Sequence, residues 1–455
     1  MPQTDANQPN VIVFFTDQQR WDTSGLHGNP LDLTPNFDRM AQRGTHVHRS
    51  FTCQPVCGPA RSCLQTGLYA TRTGCFRNGI PLSPNLKTLA HHFGEAGYAT
   101  GYIGKWHLYS GGTGPGPVPA EHRGGYDHWL ASNVLEFTSD AYQTTLYDND
   151  NKPVDLPGYR VDALTDAVIR YVDGHKNEPF YLFTSYIEPH HQNHLDDYPP
   201  PDGYRERYTG KWIPPDLAAL GGSTHQHLGG YYGMVKRLDE ALGRLLDALK
   251  SLYLLDNTII LFTSDHGCHF KTRNGEYKRS CHESSIRVPT AFHGPGFIGG
   301  GQLQELVSLV DLPPTLLDAA GLAVPGEMQG RSIMPLLHGE DDDWPEEAFV
   351  QISEAQVGRA VRTQRWKYGV DAPHKNGSSD AGSDRYVEQY LYDLQADPYE
   401  LRNLIGLQSH EPVAEVMRER LIRRMLEAGE ERATIEPAPT QRSGQRIVSE
   451  AEARS

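Results

Sequence analysis

Little in this chain of 455 residues supports a partner that needs positive charge: Lys and Arg number 42 against 57 Asp and Glu, and the formal charge is −15. Nucleic acid and anionic membrane surfaces both require a broad positive field, so an anionic ligand has to be captured locally. The start, Met1-Pro2-Gln3-Thr4-Asp5-Ala6-Asn7-Gln8-Pro9, lacks the basic stretch and apolar core of an export signal, which predicts a cytoplasmic protein. Apolar runs such as Val11–Phe15 and Thr258–Phe262 are about a quarter of a membrane span. They read as buried strands. Cysteine is scarce, with Cys53, Cys57, Cys63, Cys75, Cys268 and Cys281. No Cys-x-x-Cys pair occurs among them, which disfavours zinc, and a cytosolic chain of this length is not expected to form a disulfide framework. The Gly/Pro-rich stretch Ser110–Pro119 lacks the Gly-Lys-Ser/Thr ending of a phosphate cradle and reads as a flexible loop. There is no internal repeat.

What is present is an ordinary globular composition, 38% hydrophobic and 22% charged, long enough for an extensive sheet and a smaller subdomain. Short apolar runs alternate with helical patterns, which predicts an α/β fold: a mixed, mostly parallel sheet sandwiched by helices. The strands read as Val11–Thr16, Tyr98–Ile103, Phe180–Tyr186, Thr258–Ser264 and Val288–His293. The helices read as Asn36–Arg43, Leu86–Ala96, Val161–Val172, Leu228–Leu252 and Leu312–Ala320. Pro199–Pro215 is an irregular insertion. The acidic run Glu340-Asp341-Asp342-Asp343 marks a boundary, giving a catalytic domain over residues 1–340. Short strands at Phe349–Ser353, Gly358–Arg362 and Trp366–Val370 predict a smaller C-terminal α+β subdomain with a small antiparallel sheet over 345–435. Residues 436–455 are polar and predict a flexible tail.

Chemistry in open α/β sheets collects beyond the carboxyl ends of the strands. Those ends carry Thr16-Asp17-Gln18, Gly104-Lys105-Trp106-His107, Glu188-Pro189-His190-His191 and Ser264-Asp265-His266-Gly267. Asp17 and Asp265 are hard oxygen donors of the kind that suit Ca²⁺ or Mg²⁺. In Cys57-Gly58-Pro59-Ala60-Arg61-Ser62-Cys63-Leu64-Gln65-Thr66-Gly67, Pro59 fixes the backbone ahead of a short helix. Cys57 then sits at a positive helix N-terminus suited to an anion, with Arg61 one turn on.

This segment resembles the signature of the formylglycine-dependent (type I) sulfatases of the alkaline phosphatase superfamily. Gly104-Lys105-Trp106-His107-Leu108 resembles that family's Gly-Lys-x-His segment, and Glu188-Pro189-His190 its Pro-His element. Lys278, followed by His282-Glu283-Ser284-Ser285-Ile286-Arg287-Val288-Pro289, is similar to the family's lysine and Arg-Val-Pro run. The runs Arg362–Tyr368, Leu391–Leu394 and Asp397–Leu404 are similar to the ending of sulfatase chains. The resemblance spans roughly residues 9–405 and implies an alkaline-phosphatase-like fold.

The resemblance also implies a sulfuric ester hydrolase acting on a sulfate monoester, with a sugar or small glycan fragment preferred and small aryl or alkyl sulfates as alternatives. Cys57 is expected to be oxidised by a formylglycine-generating enzyme to an aldehyde. One hydroxyl of the aldehyde's hydrate attacks sulfur and the second expels sulfate, splitting one hard step into two easier ones. Lys105 is implied to contact the sulfate, His107 to assist the nucleophile, His190 to act as general acid and Lys278 to neutralise charge. A divalent metal, Ca²⁺ with Mg²⁺ or Mn²⁺ as alternatives, is implied at Asp17, Gln18, modified Cys57, Asp265 and His266.

Gln18 departs from the second Asp that many family members carry. With the metal, Asp17, Asp265, Arg61, Lys105 and Lys278 counted, the site carries about +3, against about +2 with Asp at position 18. The extra charge leaves open a phosphonate monoester or phosphodiester hydrolase of the same superfamily, from which the Lys105-x-His107 pair pulls back. A catalytically silent binding protein is a second alternative, and a homo-oligomer is left open. His190 and His194 have His-x-x-x-His spacing for zinc, but Pro189 makes an irregular loop there. His191, Asn193 and His194 are therefore substrate-pocket candidates, and the choice between His190 and His191 as the catalytic residue is left open. The pairs His46/His48, His91/His92 and His225/His227 read as solvated or structural.

Overall fold

The computed structural model describes residues 8–112, 114–340 and 343–455. Met1–Asn7 of the expected catalytic domain, Thr113 of the Gly/Pro-rich loop, and Asp341 and Asp342 of the acidic boundary lie outside the described residues.

Among the described residues, eleven strands form one sheet: β1 (Asn10–Thr16), β2 (Thr45–Phe51), β3 (Ala99–Lys105), β4 (His128–Ser132), β5 (Ser139–Asp140), β6 (Gln143–Tyr147), β7 (Pro153–Pro157), β8 (Phe180–Ser185), β9 (Thr258–Ser264), β10 (Thr290–His293) and β11 (Gly301–Ser308). Their order is β11-β2-β10-β9-β1-β8-β3-β4-β6-β5, with β7 paired to β6. The core run β9-β1-β8-β3-β4 is parallel, while β10 is antiparallel to both β9 and β2. β2 therefore runs in the same direction as β1.

β1, Asn-Val-Ile-Val-Phe-Phe-Thr, is buried throughout, as a central parallel strand covered on both faces must be. Its side chains alternate between two cores. Val11, Val13 and Phe15 join one cluster with Ala60 and Leu64 of the helix Cys57–Thr66, and Ile12 and Phe14 join another with Leu238 and Leu242 of the helix Thr224–Ser251. The expected α/β architecture is therefore present. The parallel order places the carboxyl ends of β9, β1, β8 and β3 side by side on one rim, and β2 delivers the helix Cys57–Thr66 to the same rim.

Six strands of this sheet, β2, β4, β5, β6, β7 and β11, were not legible in the sequence pattern. β2, Thr-His-Val-His-Arg-Ser-Phe, carries polar residues on its half-buried positions, and β11 begins with exposed ones. Element boundaries also differ. The helix expected from Leu86 begins at Leu89, where Thr88 and His91 form a reciprocal cap, and the strand expected from Val288 begins at Thr290.

A second sheet contains β12 (Ala348–Ile352), β13 (Gly358–Arg362), β14 (Trp366–Asp371), β15 (Arg385–Asp393) and β16 (Thr434–Glu436), antiparallel except for the last pair. The helix Glu411–Glu427 buries Val413, Met417 and Leu421 in the same core as Trp366 and Tyr368. The segment after 436 differs from the expected flexible tail. Val448 and Ala453 are buried, the Trp366 indole donates to the Glu452 carbonyl (3.0 Å), and Ser449 caps the last helix. Two apolar anchors and a cap suffice to dock a segment whose composition is otherwise polar.

Lys367 on β14 joins this subdomain to the main one. Its buried ammonium lies 2.8 Å from Glu283, in the segment leading to β10, and 2.6 Å from Glu400. Lys367→Met leaves two buried carboxylates short of a cation and is expected to cost about 3–5 kcal/mol. Urea unfolding of the variant against the parent chain measures this.

Candidate active site

The rim gathers most of the residues singled out by sequence. Asp17 and Gln18 follow β1, Asp265 and His266 follow β9, Lys105 ends β3, and His190 lies in the loop after β8. Cys57 is the first residue of its helix, as expected, while buried Pro59 lies inside the first turn rather than ahead of it. Lys278 comes from the loop between β9 and β10. One ligand atom from each of Asp17, Cys57, Asp265 and His266 lies within 4.8 Å of all the others.

Around Cys57 Sγ, Lys278 Nζ donates at 2.8 Å, His266 Nε2 lies at 3.3 Å and Asp17 Oδ1 at 3.6 Å. Burial alone would raise the thiol's pKa, but the cations Lys105 and Lys278, with His266, hold it well below its ordinary value. Asp17 shows the same contest. Burial and Cys57 oppose ionisation, yet Lys105, His190 and Arg61 hold its carboxyl well below the usual range. Its Oδ2 accepts from Arg61 (2.9 Å) and from Lys105 Nζ (2.8 Å). Arg61 is locked further by the Lys105 carbonyl (2.9 Å) and Ser185 Oγ (2.6 Å). Asp265, by contrast, is pushed up to about 7, by burial first and then by Asp17. Its Oδ1 accepts the Gln18 backbone N–H at 2.9 Å.

Gln18 is buried with positive φ, and its side-chain amide donates to Tyr198 Oη (2.9 Å) and Cys268 Sγ (3.4 Å). With both amide hydrogens directed that way, Oε1 is left buried without a partner, as is Asp265 Oδ2. Such orphaned acceptors are costly unless something else satisfies them.

Lys278 Nζ also lies 3.2 Å from His190 Nε2, while His190 Nδ1 is 2.6 Å from the His191 carbonyl. That pairing assigns the Nδ1 hydrogen and leaves Nε2 facing Lys278. Burial, then Lys278, lowers the His190 pKa. His107, in a positive-φ conformation beyond β3, lies on the Cys57 side of the cluster and adds to the lowering of its thiol pKa. His191 stacks on His190 with ring centroids 4.3 Å apart and on Tyr277 at 4.5 Å. Asn193 and His194 are exposed, and His194 Nε2 pairs with Asp140 at 3.2 Å. Thus His190, rather than His191, touches the cluster, and no hydrogen bond or ion pair ties Asn193 or His194 to it among the described residues.

Two neighbours escape the sequence reading. Glu136, in the loop after β4, is buried and accepts from Lys105 Nζ at 2.9 Å. Asn78 Oδ1 accepts the Gly58 N–H at 2.9 Å, bracing the first turn of the Cys57 helix. Glu136 changes the formal count, bringing the site from about +3 to about +2. β4 carries no continuous apolar run to flag its carboxyl end, and Asn78 lies outside any motif.

A family model described as Sulfatase matches residues 9–322, and one described as N-sulphoglucosamine sulphohydrolase, C-terminal, matches residues 275–427. The chain is 29% identical to an ulvan-active sulfatase of Formosa agariphila, over 94% of this chain and 83% of that protein. It is 26% identical to the N-acetylglucosamine-6-O-sulfatase of Bacteroides thetaiotaomicron, over 88% and 83%. A sulfatase-type crystal structure from Bacteroides fragilis superposes with a TM-score of 0.82 at 25% identity, covering 94% of this chain and 98% of that one. The phosphonate monoester hydrolase of Agrobacterium radiobacter shares the fold, with a TM-score of 0.70 at 23% identity over 92% and 96%.

The cation environment of Cys57 is directly measurable in the unmodified chain. Burial raises the thiols of Cys63, Cys75, Cys268 and Cys281, and the difference in thiolate absorbance between the parent chain and Cys57→Ser reports on Cys57. Lys278→Met is expected to move the midpoint of the Cys57 titration, followed by this absorbance across pH, upward by about one unit or more.

Proposed function

The chain belongs to the sulfatase family, the hydrolases of sulfuric esters, and from that premise we propose that it cleaves the sulfate monoester of a sugar or small glycan fragment, using a formylglycine made from Cys57. The observation that carries this reading is the convergence on Cys57, at a helix N-terminus, of Lys278, His266, His107 and the charged Asp17. Relatives named for ulvan and for N-acetylglucosamine-6-O-sulfate support a carbohydrate substrate. The aldehyde hydrate supplies one hydroxyl to attack sulfur and a second whose deprotonation expels sulfate, with Cys57 Sγ marking the position of the oxygens.

The donor set fits a divalent metal. Asp17, Asp265 and Gln18 offer oxygens, two of them orphaned and buried, and His266 and residue 57 complete the group. An oxygen-rich set of this kind suits Ca²⁺, with Mg²⁺ or Mn²⁺ as alternatives. When bound, the ion supplies Lewis-acid polarisation of an oxyanion at this position.

The chain's own residues account for the remainder. Lys105 and Arg61 hold Asp17 ionised and fixed, and Lys105 presents a buried positive charge beside the nucleophile, away from competing water. His107 accepts or returns the nucleophile's proton. Lys278 and His190 share a hydrogen bond and together hold a proton for the leaving oxygen, Lys278 also offsetting its negative charge. The residue-18 argument for a phosphonate substrate weakens, because Glu136 removes the extra positive charge that Gln18 introduces.

Mass spectrometry of the Cys57 peptide, after co-expression with a formylglycine-generating enzyme, is expected to show thiol replaced by aldehyde. Cys57→Ala should lose at least about 10³-fold in kcat/KM. A persistent thiol together with full activity overturns the mechanism. Turnover of regiodefined sulfated monosaccharides above an aryl phosphonate monoester supports the substrate class, and absence of both reactions in metal-loaded protein favours a silent binding fold.

The pH profile tests the proton donor. The acid form of His190 is depleted as pH rises through its lowered pKa, so kcat/KM should fall on a limb below the ordinary imidazole value. His190→Gln should abolish that limb as well as lower the rate; a limb unchanged in the variant assigns the proton elsewhere.

A further inference from the structure

Away from the catalytic rim, three imidazoles meet. His27 comes from the short turn Gly25–His27 that follows β1, and His46 and His48 from one face of β2. We propose that His27, His46 and His48 form a second metal site, for a zinc-type transition ion rather than the hard cation suited to the rim.

The geometry is that of a ligand set. A ring nitrogen from each residue lies within 4.8 Å of the other two. The two-residue period of a strand puts His46 and His48 on the same face, and the ring centroids of His27 lie 4.8 Å from His46 and 5.0 Å from His48. His46 is 4% exposed with Nε2 unpartnered, and Nδ1 of His48 is buried without a partner. Leaving such nitrogens unpaired in the interior is costly, and a metal ion satisfies them.

His27 Nε2 lies 3.2 Å from the His48 carbonyl oxygen, and its Nδ1 is 3.1 Å from Ser24 Oγ. A carbonyl only accepts, so the hydrogen sits on Nε2 and Nδ1 keeps its lone pair. Metal-binding histidines are commonly oriented in this way by a backbone carbonyl. Ser24 Oγ then sits where it can donate to an ion-bound water or turn aside.

Burial holds His46 and His48 at about 4, with His48 and then Arg287 adding to it at His46 and Arg287 at His48, and burial, Arg287 and His46 hold His27 well below its ordinary value. Neutral imidazoles carry no proton for the metal to displace. Three nitrogens without a carboxylate select zinc, copper or nickel over calcium or magnesium. His27 and His48 are half-buried, which gives an ion access and leaves a fourth position for water.

Arg49 and Arg362 add to the positive field at His48. The main opposing charge is Arg287, whose guanidinium donates to the His48 carbonyl at 2.7 Å, stacks over Trp21 at 3.9 Å and lies 3.8 Å from Glu283. Glu283 offsets part of its field. A bound ion would staple the turn after Gln18 to β2, the strand that delivers Cys57.

The test uses full-length protein purified without a metal-affinity tag, stripped by chelator and kept in excess Ca²⁺ to occupy the oxygen-rich site. Calorimetry and elemental analysis after gel filtration are expected to show one Zn²⁺ retained per chain. His46→Phe, which keeps the ring volume, and His48→Gln should each weaken zinc binding about tenfold or more. Thermal melts without zinc establish that each variant folds. The proposal is overturned if the parent chain takes up no zinc in Ca²⁺, or if both variants bind it as tightly as the parent.

Discussion

A carboxylate with no exposed surface, Asp17, is the point on which the site depends. Moving an isolated charge of this kind out of water costs several kcal/mol after relaxation, and burial accordingly opposes its ionisation. What reverses the balance is a pair of equally buried cations, Arg61 and Lys105, on one of its oxygens. Each cation comes from a different element: the Cys57 helix supplies one and the end of β3 the other. The charge of Asp17 therefore clamps the Cys57 helix to the sheet. It also leaves the second carboxylate oxygen directed at Cys57 and His266.

The same balance explains why Asp17 and Asp265 differ although both end buried parallel strands. Asp17 has two close cations; Asp265 has His266 at 3.5 Å and a longer contact to Arg61 at 3.6 Å, and feels the neighbouring Asp17 charge. Without a further cation between them, the pair resists carrying two negative charges. An oxygen-seeking divalent ion is the group that would ionise both at once. Gln18 fits this economy of charge, since a third carboxylate among these donors would add repulsion, and its amide hydrogens are already engaged by Tyr198 and Cys268.

Most of the site was legible because its residues end the least ambiguous elements. β1, β8 and β9 are largely apolar runs; Asp17 and Asp265 stand directly beyond β1 and β9, and His190 follows β8 after residues 186–189. Cys57 was legible through its helix-start chemistry, but the strand that places it was not. β2 has only Val47 and Phe51 as apolar residues and so shows no apolar period, and its paired histidines, His46 and His48, read as solvated or structural when their partners across the fold are unknown. Glu136 was illegible for a related reason: its significance lies in a contact with Lys105, thirty-one positions away in sequence. The docked segment after Glu436 depends on Trp366, again a long-range partner.

These differences share one cause. Periodicity reports what a segment does with its own apolar residues, whereas a polar group's meaning depends on what tertiary structure brings to it. Lys105 illustrates the limit. Alone, it is an ordinary lysine in a Gly-Lys-x-His segment; between Asp17 and Glu136 it is a permanently charged, water-excluded group, its affinity for its proton raised by both carboxylates and by Cys57 against the opposing effect of burial. Glu136 thereby does more than satisfy a cation. By taking one of Lys105's hydrogen bonds it fixes the ammonium's orientation, and by carrying a negative charge it compensates for the neutral residue at position 18. The departure at Gln18 and the buried acid at Glu136 are thus two parts of one electrostatic arrangement, coupled through Lys105 and Asp17, although no single motif contains them both.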